Sequence, residues 1–172
     1  MDEGLGKLDD LIKKNPANAG ALGTKGLIYE QQGKTEEAKE SYTQALKANP
    51  RLDGAANNLA YILAEEGRDL ETALNLAQNA RKAQPNNANI ADTLGWIYYK
   101  LGNHILAREQ VLFAVSKDPN NPVLQYHLGM IYKGTKQIKE AESALRKAAN
   151  SSQDFKEKPL AQAALKEISS PR

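Results

Sequence analysis

The sequence predicts an all-α protein built from repeated helix pairs, and three observations carry that reading. Pro16, Pro50, Pro85 and Pro119 stand 34, 35 and 34 residues apart, a period of the length that marks stacked supersecondary units. Between the prolines a template recurs, most completely as Ala91-Asp92-Thr93-Leu94-Gly95-Trp96-Ile97-Tyr98-Tyr99 followed by Ala107, Val111 and Ala114. Its apolar positions fall three and four residues apart, the spacing that puts side chains on one helical face.

Taken in order, Leu5, Leu8, Leu11 and Ile12 form an apolar stripe ending at Asn15-Pro16. Residues 1–16 therefore read as the second helix of a half-repeat, packed on the next unit as an improvised N-terminal cap. The repeat at 19–52 carries Leu22, Gly26 and Tyr29 on its first helix, Gly33 at the turn, and Ala38, Tyr42 and Ala45 on its second. Lys25 stands where later repeats place Leu59, Leu94 and Leu128, which departs from the pattern and speaks against tight packing of this unit. The repeat at 53–87 has Ala60 for the usual glycine and one extra residue near Gly67-Arg68-Asp69-Leu70, where an insertion costs little. The repeats at 88–121 and 122–149 follow, the latter opening on Pro122, suited to a first helical position. Residues 150–154 read as a loop. A capping helix at 159–169 places Leu160, Ala164, Leu165 and Ile168 on one face, and residues 169–172 are expected to fray.

A unit of this length carrying Leu-Gly-x-x-Tyr, then Ala-x-x-x-apolar-x-x-Ala, then Pro, resembles the tetratricopeptide repeat. The resemblance covers nearly the whole chain. It implies antiparallel helix pairs stacked into a right-handed superhelical solenoid, with four full repeats, in one domain spanning 1–172. Gly26, Gly95, Gly129 and Ala60 then sit where the two helices of a unit cross. Glycine there sacrifices roughly 1 kcal/mol of helix propensity, which only close packing offsets. Ile28, Ile62, Ile97 and Ile131 read as core between repeats. The second to fourth repeats also resemble, more distantly, bacterial repeat proteins of the cell envelope and exopolysaccharide systems.

Composition excludes several classes. A content of 41% hydrophobic and 26% charged residues is that of a chain that folds around a core. With 23 basic against 21 acidic residues, the net charge of +2 creates no global field for nucleic acid or anionic membrane. The absence of cysteine removes disulfides, thiolate ligands and a cysteine nucleophile and leaves the compartment open. No run reaches the roughly 20 apolar residues of a membrane span, and Met1-Asp2-Glu3-Gly4 does not begin a signal peptide but looks like a cut within a longer protein.

Catalytic and cofactor chemistry find no footing. His104 and His127 have no companion at ligand spacing, so no metal site is expected. Glu36-Glu37 and Glu65-Glu66 are adjacent on helices and point apart. There is no glycine-rich phosphate loop and no nucleophile elbow. The chain reads as a protein without enzymatic activity.

A second stripe on the first helices carries the functional expectation. At 100° per residue, Leu94, Ile97, Tyr98 and Leu101 share one face, whereas Trp96 lies almost opposite, flanked by Asp92 and Tyr99. Tyr126, Met130 and Lys133 take that side in the fourth repeat, Tyr61 with Asn57 in the second, and Leu27 in the first. In tetratricopeptide proteins the first helices line a concave groove, so the resemblance implies that Leu27, Asn57, Asn58, Tyr61, Asp92, Trp96, Tyr99, Tyr126, Met130 and Lys133 face it. Aromatic and methionine side chains suit protein recognition because they bury large area at low entropic cost, and the alternative is that curvature packs these rings against adjacent helices or against the loop after Ala149. Asn57-Asn58 could grip a peptide backbone through their amides. A carboxylate clamp of the family type does not match: Asn58 fits it, but Gly23, Leu27, Asn89 and Thr93 stand where cations or asparagine are needed. The expected partner is a protein or peptide, with neither nucleic acid nor membrane insertion, and the chain is expected to be a monomer or a weak end-to-end dimer. The competing expectation is a scaffold segment whose surfaces pack on missing repeats or on a second copy.

Overall fold

The computed structural model describes residues 2–169. Among them are ten α-helices: α1 (Asp2–Lys14), α2 (Ala19–Gln31), α3 (Thr35–Ala48), α4 (Asp53–Glu66), α5 (Leu70–Ala83), α6 (Ala88–Lys100), α7 (His104–Lys117), α8 (Pro122–Gly134), α9 (Ile138–Ala149) and α10 (Lys158–Ser169). Among the described residues the protein is all-α, its helices arranged in successive antiparallel pairs. Its contacts divide it into two compact units, one ending at Gln84 and the other beginning at Pro85. Residues 170–172, part of the segment expected to fray, lie outside the described residues.

Local chemistry sets the helix limits. The side chains of Asn18, Asn87, Asn103 and Asn121 accept hydrogen bonds from backbone N–H groups of the first turns of α2, α6, α7 and α8, satisfying donors that a helix start leaves open. Gly33, Gly67 and Gly102 close the first helices with φ of 71°, 64° and 78°, the left-handed region where a Cβ is disfavoured. Lys136 holds the same turn position in the fourth repeat at φ 60°. The extra residue of the second repeat is absorbed at the turn, where Asp69 also adopts a positive φ of 47°.

In the first unit, Leu22, Tyr42, Leu59 and Ile62 form a core with Ala38, Ala45 and Ala55, and Ile12 of α1 packs against it. Leu5 and Leu8 are half-buried and Leu11 is 48% exposed, because no helix in the described residues covers that side of α1. Lys25 does not loosen the unit as its departure from the leucine pattern suggested. Its ammonium reaches Asp9 of α1 at 2.8 Å and lies 5.6 Å from the Tyr29 ring centroid. The hydrogen bond to Asp9 outweighs partial burial and raises the lysine pKa.

In the second unit the helix crossings occur at the glycines. A Cβ on Gly129 would stand 2.6 Å from Leu145 Cγ, and one on Gly95 would stand 2.6 Å from Val111 Cγ2 and 3.0 Å from the Ala107 carbonyl oxygen. Backbone and a stiff β-branched side chain yield little at Gly95. Gly95→Leu is therefore expected to cost about 1–3 kcal/mol or more through overpacking, read as a lowered thermal midpoint. An unchanged midpoint would place the crossing elsewhere.

Two local expectations are corrected. Leu101, placed inward by helical phase, is 45% exposed because α6 ends at Lys100 and the chain has already turned. In α10 the inward side chains are Ala161 and Ala164, while Leu160 is 54% exposed. The close packing of α10 on α9 admits small residues and turns Leu160 out.

Candidate protein-binding site

The stripe of α6 and α8 opposite the helix crossings comes together in the second unit, but not as an open surface. Trp96 is 3% exposed and Tyr126 is 5% exposed. The indole stacks on His127, with centroids 4.1 Å apart and planes at 18°, and on Tyr99 at 4.8 Å and 15°. Tyr126 is tilted against it at 5.8 Å, and the Lys100 ammonium lies 5.0 Å from its ring centroid. The expectation that Trp96, Tyr126 and Asp92 line a solvent-open groove is therefore corrected. Successive first helices approach closely enough for the side chains of the stripe to pack on one another.

Asp92 and His127 fix this stack. Both carboxylate oxygens of Asp92 lie 2.9 Å from His127 Nδ1. An ionised carboxylate only accepts, so Nδ1 carries the proton and donates it. His127 is fully buried and Asp92 is 6% exposed, which makes the pair a low-dielectric hydrogen bond joining α6 to α8.

Around this floor lies a half-exposed rim of Tyr99, Met130 and Lys133. Tyr99 leans on His104, centroids 5.6 Å apart, and burial raises its hydroxyl pKa against the opposing influence of the Lys133 charge. Lys133 reaches Glu167 of α10 at 2.5 Å, tying the last helix to α8.

The first unit places its stripe differently. Leu27 is 44% exposed, and Tyr61 is half-buried. Asn58 is not free to grip a peptide: its Nδ2 donates to the Tyr42 hydroxyl at 3.0 Å, and that hydroxyl donates to Glu30 at 2.7 Å. Burial first, and the bond to Glu30 second, push the Tyr42 pKa above the ordinary phenol value. Asn57 donates to Asn58 Oδ1 at 3.4 Å, and its own buried Oδ1 has no hydrogen-bond partner. The asparagine pair thus splits, Asn58 serving the core of its unit and Asn57 retaining an unused acceptor.

Sequence reasoning missed the partnership of Asp92 with His127, although both residues stand on the stripe at neighbouring positions of successive repeats. Among the described residues no group of three histidines or carboxylates is placed to hold a metal, and no helix is long and apolar enough to cross a membrane.

Comparison with known proteins agrees with this geometry. The family model described as the N-terminal TPR repeats region of Psidin matches residues 2–122, and the tetratricopeptide repeat model matches residues 123–155. A probable UDP-N-acetylglucosamine–peptide N-acetylglucosaminyltransferase SPINDLY from Solanum lycopersicum is 46% identical over 54 residues, 31% of this chain and 6% of the relative. The chain thus corresponds to a small part of that protein's length. Among solved structures, the type IV pilus biogenesis factor PilW superposes with a TM-score of 0.73 at 19% identity over 95% of this chain and 80% of its own. The APC/C hetero-tetramer Cut9-Hcn1 gives 0.79 at 22% identity over 96% of this chain and 32% of that one. At these identities the structural likeness shows the fold.

Proposed function

The chain belongs to the tetratricopeptide repeat family, whose members mediate protein–protein interactions, and from that premise we propose that it is a non-catalytic module that binds a peptide segment over α6 and α8. The observation that carries this reading is the division of the stripe into a rigid floor and an accessible rim. Trp96, Tyr126 and His127 form the floor, immobilised by stacking and by Asp92. Tyr99, Met130 and Lys133 form the rim and keep surface for a ligand. A pre-ordered apolar floor lowers the entropic cost of association, and the rim supplies an aromatic, a thioether and a cation. In the first unit Leu27, in the register of Met130, is 44% exposed and offers apolar surface at the equivalent position.

Burial supports the non-catalytic part of this proposal. An aspartate–histidine pair can serve as a proton relay, but the His127 ring is wholly enclosed and covered by the indole, so no substrate atom reaches it. The transferase activity in the name of the tomato relative belongs to a protein of which this chain matches 6%.

A displayed peptide library selected on the whole chain tests the proposal. Selected peptides should bind the Tyr99→Ala/Met130→Ala variant at least about tenfold more weakly, a loss of about 1.4 kcal/mol. Circular dichroism should show the helices intact. If every selected peptide binds wild type and variant alike, the rim is not the recognition surface.

A further inference from the structure

On the other side of α8, in the same unit, lies a groove that the function proposed above does not use. It has a volume of about 460 Å³ and runs between α7 and α9. Val115, Leu128, Ala144 and Tyr132 form its floor, and Lys139 and Lys147 of α9 stand on its edge. Leu128 and Tyr132 lie on α8 at roughly 120° to 160° from Tyr126 and Met130, counting 100° per residue. The groove and the aromatic stack therefore occupy separate faces.

The two lysines are not called for by the fold. In the register of the second helices, Lys139 stands where the earlier repeats carry Glu36, Glu71 and Ile105, and Lys147 where they carry Gln44, Asn79 and Phe113. The same backbone thus accepts acid, amide, apolar and cationic side chains at these places. Both lysines are exposed, and neither has a carboxylate partner among the described residues. Arg146, between them in sequence, is held by Glu142. Eight residues of helix set the lysines about 12 Å apart along the axis. Among the described residues lining the groove the one carboxylate is Glu140, beside Lys139, which leaves the Lys147 end with the larger uncompensated positive charge.

We infer that this groove docks an acidic, apolar segment of a partner protein, its aliphatic side chains on Leu128 and Val115 and its carboxylates on Lys147 and Lys139. An extended segment advances about 3.3 Å per residue, so carboxylates three to four residues apart span the two ammonium groups. The apolar floor supplies affinity, and the lysines supply orientation and rate of encounter.

The probes are two fluorescein-labelled decapeptides, one with two glutamates four residues apart enclosing leucines and the other with glutamine in their place. Anisotropy titration of the whole chain at low salt should show at least about tenfold tighter binding of the glutamate peptide, with the advantage lost in about 1 M salt. Lys147→Glu should abolish that preference and Lys139→Glu should reduce it, both at exposed positions where folding is not at stake. Methyl resonances of Val115 and Leu128 should shift on binding, and Met130→Ala should leave binding unchanged, which separates this groove from the rim over α6 and α8. Equal binding of the two peptides, shifts confined to other methyls, or tighter binding of a single-stranded oligonucleotide of matched charge would overturn the inference.

Discussion

Trp96→Ala is expected to destabilise the second unit by about 3–5 kcal/mol, the range for removing a buried tryptophan. The indole is 3% exposed and in ring contact with Tyr99, Tyr126 and His127, so the truncation leaves a cavity facing three aromatic groups that cannot all collapse into it. A surface tryptophan would change stability by no more than about 0.5 kcal/mol. Chemical denaturation followed by circular dichroism separates the two outcomes. As this is the chain's single tryptophan, the intact protein offers an independent check: emission should be blue-shifted and resist acrylamide. Red, readily quenched emission, or a stability change near zero, would mean that the stack is open in solution.

That prediction reverses what the stripe alone suggests, and the reason is physical. Helical phase assigns Trp96 to the side away from Leu94 and Ile97, and it does lie there. Phase carries no information about whether a neighbouring first helix covers that side. The covering groups, Tyr126 and His127, arrive from the next repeat. Asn58 shows the same limit: it stands in the register of a ligand-gripping asparagine, yet the hydroxyl of Tyr42, 16 residues earlier, takes its amide.

Features fixed by close range were legible. Proline spacing and glycines at the turns each act within a few residues, and the structure realises them as helix boundaries and left-handed turns. The crossing glycines were legible as well, because a glycine in mid-helix is costly unless a backbone passes close by, and at Gly95 the Ala107 carbonyl does. The rim and floor of the candidate site were not separable in the sequence, since both use aromatic and sulfur-bearing side chains at the same helical positions.

The proposed binding surface would then depend on a buried polar contact, and this leads to the second large effect. Asp92→Ala is expected to cost about 1–3 kcal/mol, the range for leaving a buried donor without its acceptor. It leaves His127 Nδ1 a buried donor without its acceptor, beneath an indole that has lost the group orienting its stacking partner. Asp92→Asn keeps the volume and one carbonyl oxygen able to accept from Nδ1–H, so it should cost clearly less than the alanine change. The readout is twofold: urea midpoint for stability, and Trp96 emission in the folded baseline for the geometry of the stack. The expected result is a large fall in midpoint with altered native emission for Asp92→Ala and a partial effect for Asp92→Asn. Should Asp92→Ala fall within about 0.5 kcal/mol of wild type, the carboxylate does not hold α6 to α8, and the rigidity ascribed to the floor would rest on aromatic packing alone.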